Sequence, residues 1–242
     1  SIKNSAKLGK SDWSILEADE SDGSFVSISP TYSIITNIDR EHMDFYKSMN
    51  DLKNYFINFI NKVPSIGKSF ICLDDKMNKE IIKKLKNKNF YTYGFNRNSN
   101  FKILNVKRSI DFTNYDLSIN LPNKKKVSIK NIKIPLLGNH NILNSVAALA
   151  VAMTVGIPVT KIKLGLKSFK GVQRRFNKIF TYKGIDFYDD YAHHPTEIKE
   201  VLNGVKEVYK GFKKVCIFQP HRISRLSDLR KEFSFAFKNA DE

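Results

Sequence analysis

Cysteine is scarce in this chain of 242 residues, which has only Cys72 and Cys216. The two lie far apart in separate apolar runs, and neither belongs to a CxxC or CxxH pattern. This excludes a disulfide framework or a cysteine zinc site and predicts buried thiols in a reducing compartment. Glycine and proline are also few, at 11 and 7, which indicates a globular chain and excludes a low-complexity one.

Long hydrophobic runs are missing as well. The longest, around 146–159, is too short to span a bilayer and is interrupted by Gly156 and Pro158. No signal peptide is visible in the sequence. We therefore expect a soluble, cytoplasmic protein with no membrane partner.

Acidic residues are outnumbered, because 24 Asp and Glu stand against 41 Lys and Arg and give a formal net charge of +17. A strongly basic chain can bind nucleic acid. Here the lysines are spread over the whole length, and the densest runs, 83–88 and 124–126, fall in Asn-rich segments typical of turns. There is no zinc-finger pattern and no glycine-aromatic RNA-binding motif. We expect a solvated basic surface and no nucleic-acid partner, with a non-enzymatic basic binding module as an alternative.

Strand-like and helical segments alternate along the chain, which predicts an α/β fold with a mostly parallel sheet. A change to short alternating runs between 101 and 134 predicts antiparallel strands there. We place a domain boundary at 170/171, which gives domains over 1–170 and 171–242. The predicted strands are 12–18, 32–38, 70–73, 90–93, 178–182, 185–188 and 214–218. The predicted helices are 50–63, 77–85, one opened by the stretch 136–144 and running to about 155, 159–169, 196–209 and a last one ending near 238.

The segment after the predicted buried strand 185–188 is dense in reactive side chains. Pro195 then suits the first turn of a helix, because proline has no N–H group and the N–H groups of that turn have no partner within the helix. In an open α/β sheet, the loop at the carboxyl end of a strand is where ligands bind. The sequence therefore predicts a binding or catalytic site here, built from Asp189, Asp190, Tyr191, His193 and His194.

Two earlier strand ends carry polar residues of the same kind. Glu17 begins an acidic cluster at the end of the strand predicted at 12–18, and His42 follows the strand predicted at 32–38. Carboxylates at such positions can hold Mg²⁺ together with water and phosphate oxygens. A solvated acidic turn is the alternative for the first cluster.

Three further groups suit a nucleotide or an anionic substrate. Imidazole and amide groups in the first turn of the helix opened by 136–144 could pair with a nucleobase, or could simply cap the helix. Adjacent arginines at the domain junction suit phosphate, with a solvated hinge as the alternative. A third group of cationic donors follows the strand 214–218. The groups are His140, Asn141 and Asn144; Arg174 and Arg175; and His221, Arg222 and Arg225.

These motifs together resemble the Mur ligases, and they occur in the same order over nearly the whole chain. They are Glu17-Ala-Asp-Glu-Ser-Asp22, Thr36-Asn-Ile-Asp39 with His42-Met-Asp44, Gly138-Asn-His-Asn141 with Asn144, Gly171-Val-Gln-Arg-Arg-Phe176, Asp189-Asp-Tyr-Ala-His-His-Pro195 and Phe218-Gln-Pro-His-Arg-Ile-Ser-Arg225. Within the family the chain is most similar to the branch that joins L-alanine to UDP-N-acetylmuramate.

The resemblance implies an ATP-dependent, amide-forming ligase of peptidoglycan synthesis. ATP phosphorylates the muramyl carboxylate, and the alanine amine then attacks the acyl phosphate. It also implies that residues 1–170 form the ATP-binding central domain and that 171–242 form part of a Rossmann-like carboxyl-terminal domain. The family does not predict the oligomeric state.

The resemblance also assigns roles to individual residues. Glu17 and His42 would each bind a Mg²⁺ ion. His140, Asn141 and Asn144 would bind adenine, while Arg175 and Asp190 would contact phosphate and ribose. The muramyl substrate and alanine would be held by Tyr191, His193, His221, Arg222 and Arg225, and we assign His193 and Arg175 as the catalytic pair.

One family motif has no counterpart in this chain, because the Gly-rich phosphate loop ending in Gly-Lys-Thr is absent from the 242 residues. We therefore expect residues 1–242 alone to be inactive. A recycling ligase of the same fold, which attaches a murein tripeptide to UDP-N-acetylmuramate, is the alternative enzyme. Tyr191 and the run 218–222 favour the alanine-adding branch.

Overall fold

The computed structural model describes residues 6–242 and has a mixed α/β architecture. One sheet has six strands in chain order, with three parallel junctions followed by two antiparallel ones. This confirms the predicted α/β class, the mostly parallel sheet and the antiparallel region between 101 and 134. The strands are β1 (Tyr32–Ile35), β2 (Lys68–Cys72), β3 (Phe90–Gly94), β4 (Phe101–Arg108), β5 (Thr113–Ile119) and β6 (Val127–Ile134).

Five helices accompany this sheet among the described residues. The apolar periodicity that predicted the longer helices is confirmed, and their ends fall within two residues of the predicted ones. On α2, for example, Leu52, Phe59 and Ile60 share the buried face. The helices are α1 (Met43–Tyr46), α2 (Met49–Asn61), α3 (Lys76–Lys84), α4 (Asn139–Thr154) and α5 (Val159–Ser168).

The main core lies between the sheet and α4. Tyr93, Tyr115 and Ile142 are fully buried in it, and the Tyr115 hydroxyl lies 2.6 Å from Ser145 Oγ. This bond matters because a buried hydroxyl without a partner is costly. Burial also raises the pKa of Tyr115. The apolar body of α4 therefore fixes the helix, and its polar first turn is held at a defined place beside the sheet.

The second part of the chain begins with an antiparallel hairpin, β7 (Asn177–Tyr182) and β8 (Ile185–Asp189). We expected 185–188 to be buried, and this was wrong, because Ile185 remains 59% exposed. A two-stranded hairpin that pairs only with itself has no second layer to cover its faces. The helices that follow are α6 (Pro195–Val208), α7 (Ile223–Asp228) and α8 (Arg230–Ala236), so the predicted last helix is broken at Leu229.

Two predicted strands are not formed. Residues 12–18 are irregular and exposed, and their one aromatic contact is Trp13 against Tyr32, with ring centroids 5.7 Å apart. The backbone of residues 214–218 bonds to residues 241 and 242, through Cys216 N to Glu242 O and Asp241 N to Lys214 O, each 2.8 Å. Alternating apolar residues make a strand only where a partner ladder exists, and neither segment has one among residues 6–242.

Both cysteines are free thiols, as predicted. Cys72 is buried in β2, and burial raises its pKa to about 11. Cys216 is partly buried, and burial raises its pKa too. Across residues 6–242, every helix is too short or too polar to cross a membrane.

Helix α6 joins the second part of the chain to the start of α4 through a close backbone contact. A Cβ built on Gly204 would lie 3.0 Å from Gly138 Cα and 3.2 Å from Gly138 N. Gly138 itself has φ +86°, in the region that favours glycine. The two glycines therefore allow α6 to lie directly against the loop that leads into α4.

Replacing Gly204 with alanine should destabilise the chain, although alanine is the better helix former. The new methyl meets backbone that cannot rotate away, so we expect a loss of about 1–3 kcal/mol. Gly165 in α5 is the matched control, because no atom lies within 4 Å of its added Cβ. Gly165→Ala should stabilise by about 0.5–1 kcal/mol. Urea unfolding of both variants tests this, and equal stabilisation would contradict the close contact.

Candidate functional site

Glu197, in the first turn of α6, is the centre of a polar cluster. Its Oε2 accepts hydrogen bonds from the backbone N–H groups of His193 (3.1 Å) and His194 (3.3 Å). Its Oε1 lies 3.2 Å from Arg175 Nη1. Burial tends to raise the pKa of Glu197, but these hydrogen bonds, the His193 ring and Arg175 outweigh it and lower the pKa below its usual 4.5. Glu197 is therefore an anion that ties Arg175 to the 191–194 loop.

One ring nitrogen of His193, Nδ1, contacts the protein, and the other, Nε2, has no hydrogen-bond partner among the described residues. Its Nδ1 lies 2.9 Å from the carbonyl oxygen of Tyr191 and 3.7 Å from Glu197 Oε2. A carbonyl oxygen only accepts, so this network assigns the proton to Nδ1 and leaves Nε2 as a proton acceptor. The rings of Tyr191 and His221 lie 4.9 Å and 6.5 Å away between centroids.

Asp190 holds two segments together. Its Oδ2 accepts from Phe176 N at 2.8 Å, and its Oδ1 accepts from Ala192 N at 2.7 Å. Burial raises the pKa of Asp190, and the two backbone bonds oppose that rise. The carboxylate therefore fixes the backbone next to Arg175 against the loop that carries Tyr191.

His140 is a buried imidazole at the start of α4. Its Nε2 lies 3.0 Å from Asn141 Nδ2, whereas its Nδ1 is buried without a hydrogen-bond partner. Burial lowers the pKa of His140, nearby Arg175 lowers it further, and Glu197 opposes both. A neutral imidazole with an unsatisfied buried nitrogen suits the polar edge of a nucleobase, so the residues present fit an adenine ring.

Arg225 is buried and paired across the two parts of the chain. Its Nε lies 3.0 Å from both carboxylate oxygens of Glu41, and its Nη2 lies 2.9 Å from Glu41 Oε1. Its Nη1 donates to the carbonyl oxygen of His221 at 3.0 Å. His194 lies beside this pair, with Nε2 3.6 Å from Glu41 Oε2. The loop after β1 therefore meets α7 through a buried ion pair.

The two residues predicted to bind Mg²⁺, Glu17 and His42, lie in different surroundings. Glu17 is exposed, and the carboxylate beside His42 is that of Glu20, with Nε2 and Oε1 3.9 Å apart. The Tyr46 hydroxyl donates to the Glu20 carbonyl oxygen and holds that residue in place. In the part of the chain that the structure describes, no three His, Cys, Asp or Glu side chains converge on a point where a metal could sit.

The structure thus brings most of the predicted residues into one region and leaves others apart. Asn144 is exposed and Glu17 lies in the irregular segment 12–18, whereas Arg222 is exposed but lies near Arg225. The roles assigned to all of these residues stay predictions. Those gathered around Glu197 and the loop after β1 are His140, Asn141, Arg175, Asp190, Tyr191, His193, His221 and Arg225.

Sequence reasoning included His194 in the site but missed the roles of Glu197 and Glu41. The signal for Glu197 was present, because an acidic residue three positions after a capping residue marks a helix start. His194 caps α6 by accepting from Thr196 N at 3.3 Å. The pairing of Glu41 with a residue 184 positions later had no signal in one sequence.

The fold is a mixed α/β scaffold that gathers most of these motifs, and comparison with family models gives the class of the chain. The model of the Mur ligase middle domain matches residues 4–152, and that of the Mur ligase glutamate ligase domain matches 174–242. The chain belongs to the Mur ligase family.

Individual relatives point to one branch of the family. The chain is 70% identical over 240 residues to the UDP-N-acetylmuramate–L-alanine ligase of Pelagibacter ubique, covering 99% of this chain and 52% of the relative. It is 43% identical to the ligase of the same name from Brachyspira hyodysenteriae, covering 96% of this chain and 49% of that one. The chain therefore spans about half the length of these relatives.

Solved structures agree on the fold. The UDP-N-acetylmuramate-alanine ligase of Thermotoga maritima superposes with a TM-score of 0.72 at 28% identity, covering 93% of this chain and 47% of that one. A murein peptide ligase from Psychrobacter arcticus superposes with a TM-score of 0.58 at 19% identity, covering 90% of this chain and 43% of that one. At that identity the second likeness shows the fold alone.

Replacing Glu197 with glutamine should make stability depend less on pH. Because the pKa of Glu197 is lowered on folding, its charge stabilises the fold above pH 4.5, and this contribution is lost as the pH falls through the folded pKa. Glutamine can still accept the two backbone hydrogen bonds, so the helix start is kept. We expect E197Q to be less stable than the parent at pH 7 and to approach it in acid.

The matched control is Glu200→Gln on the same helix, whose Oε1 accepts from Asn203 Nδ2 at 3.3 Å. E200Q should stay within about 0.5 kcal/mol of the parent at every pH. Urea unfolding from pH 7 down to about pH 2, which covers the region below the ordinary pKa of 4.5, measures both variants. A constant offset for E197Q over that range would contradict the role of its charge.

Proposed function

We propose that the whole protein is an ATP-dependent ligase of peptidoglycan synthesis that adds L-alanine to UDP-N-acetylmuramate. The observation that carries this proposal is the 70% identity to an enzyme of that name, which runs through both parts of the chain. The arrangement around Glu197 supports it, because an imidazole, an arginine and a nucleobase-type pocket meet there. A cytoplasmic location, where ATP is available, and a role in cell wall growth and division belong to the same proposal.

The first task of such a site is to bring two anions together. ATP supplies the phosphoryl group that converts the muramyl carboxylate into an acyl phosphate. Carboxylate and phosphate repel each other, so cationic side chains must neutralise charge as the transfer proceeds. Arg175 is exposed enough to leave Glu197 for a phosphate, because its side chain is 50% exposed. His140, Asn141 and Asn144 would hold the adenine, and Asp190 would hold the ribose.

The second task is to take a proton from the amine of alanine, which must attack as the free base. His193 Nε2 is the acceptor that the hydrogen-bond network leaves unengaged. Glu197 lies 3.7 Å from the other ring nitrogen and would stabilise the imidazolium that results. Tyr191, His221, Arg222 and Arg225 lie on the same side and would bind the muramyl substrate and alanine.

Mg²⁺ is part of the proposal only through the family. Glu17 and His42 are the proposed ligands, one for each ion, and water and phosphate oxygens would complete each coordination shell. No step is assigned to the metal here. The division into a central domain over 1–170 and a carboxyl-terminal domain over 171–242 is likewise proposed.

The activity is tested by phosphate release from ATP by the full-length protein. The reaction should require both UDP-N-acetylmuramate and L-alanine. Release that instead requires the murein tripeptide would assign the recycling reaction, and release with neither would contradict a ligase. Residues 1–242 alone should release no phosphate, since the chain has no Gly-Lys-Thr loop.

His193→Gln in the full-length protein should lower turnover far more than ATP affinity. Glutamine can still bond to the Tyr191 carbonyl, but it cannot accept a proton at neutral pH. Loss of general base catalysis typically costs about 10²–10⁴-fold in rate. Steady-state kinetics measure kcat and the KM for ATP. A rise in the KM for ATP with kcat unchanged would show that His193 binds nucleotide instead.

A further inference from the structure

Glu41, the buried partner of Arg225, has no part in the roles assigned so far. Glu41 belongs to the loop after β1, whereas Arg225 belongs to α7, and the two lie 184 positions apart. The Arg225 side chain is 5% exposed and the Glu41 side chain 17%. Burying two charges costs free energy unless their geometry is good, so such a pair is kept for something besides stability.

The ion pair uses some of the N–H groups of the Arg225 guanidinium and leaves others free to bind a ligand. Arginine has five N–H groups. Glu41 engages Nε and one N–H of Nη2, and the His221 carbonyl engages one N–H of Nη1. One N–H on each terminal nitrogen remains. These two donors can bind carboxylate or phosphate oxygens.

A cleft lies beside Arg225, where these two N–H groups could bind a ligand. It has a volume of about 270 Å³ and is lined by residues 40–44 and by residues of 222–229, including Arg225. Arg40 and Arg222 add positive charge to the walls, and Asp44 and Asp228 are the other acidic residues there. The three arginines of the cleft are balanced by three carboxylates, Glu41, Asp44 and Asp228, so an anion would bind there through a guanidinium that is held still with free N–H groups.

We infer that Glu41 is a positioning residue that holds the Arg225 guanidinium so that its two remaining N–H groups bind the anionic substrate in this cleft. The inference rests on the proposed function and deepens it, since the anion would be UDP-N-acetylmuramate. Neighbouring contacts keep the Glu41 loop in place. Thr196 Oγ1 donates to Asp39 Oδ2 at 2.5 Å, and His194 Nε2 lies 3.4 Å from the Arg40 carbonyl oxygen.

The test is Glu41→Gln in the full-length protein. An amide is uncharged and has one accepting oxygen, so E41Q loses the ion pair and one of the contacts to the guanidinium, and Arg225 should be held less firmly. A misplacement of about 1 Å can cost on the order of 10²-fold, and we expect the KM for UDP-N-acetylmuramate to rise by roughly tenfold or more. The KM for ATP and the dependence on Mg²⁺ should stay within about twofold.

Glu207→Gln is the matched control for a purely structural effect. Glu207 on α6 also forms an ion pair between the two parts of the chain, with Oε2 2.9 Å from Arg108 Nε, but it does not contact Arg225. All KM values of E207Q should therefore remain within about twofold of the parent. If E207Q raises the KM for UDP-N-acetylmuramate as much as E41Q does, the inference is wrong.

Other outcomes would also contradict the inference about Glu41. An unchanged KM for UDP-N-acetylmuramate in E41Q would show that Arg225 needs no support. A lowered KM would show that Glu41 competes with the substrate for Arg225. If E41Q fails to fold, Glu41→Asp keeps the charge but withdraws it by one methylene, and it should give an intermediate rise. No rise in E41D would then reject the inference.

The same experiment separates this inference from the proposed function. If the parent enzyme neither binds nor converts UDP-N-acetylmuramate, the proposed function fails and the inference fails with it. If the parent is active and E41Q behaves like E207Q, only the inference fails. If the parent uses the tripeptide in place of L-alanine, the Glu41 test still applies, because the anionic substrate is the same.

Discussion

The first turn of α6 is the constraint on which the arrangement of the site depends. A helix begins with N–H groups that have no intrahelical partner, and here the Glu197 carboxylate accepts two backbone N–H groups from His193 and His194. The same carboxylate pairs with Arg175. Satisfying the helix start and orienting the reactive loop are therefore one interaction, and neither could change without the other.

A second constraint is that every buried charge in this region has a partner. Glu197 is offset by Arg175, Arg225 is offset by Glu41, and Asp190 is offset by two backbone N–H groups. Each pairing reduces the cost of taking an ion out of water. It also fixes the position of a group that would bind substrate, which is what a site for two mutually repelling anions requires.

The sequence alone determined much of the fold. Hydrophobic periodicity located α2 and α4 correctly because each buries an apolar face whatever else the chain does. The segments 12–18 and 214–218 have the same apolar character, yet neither is a strand. A helix satisfies its own backbone hydrogen bonds, whereas a strand needs a neighbour, so single-sequence reasoning is weaker for strands.

For the site, the sequence supplied the residue types and the loops that carry them. It placed His193 and Arg175 among the candidates because polar residues crowd the ends of apolar segments. Only the tertiary structure decided which of them meet. The pairing of Glu41 with Arg225 joins residues 184 positions apart, and Glu197 lies 22 positions from Arg175. Such long-range contacts depend on how α6 and α7 pack against the sheet, which no local pattern encodes.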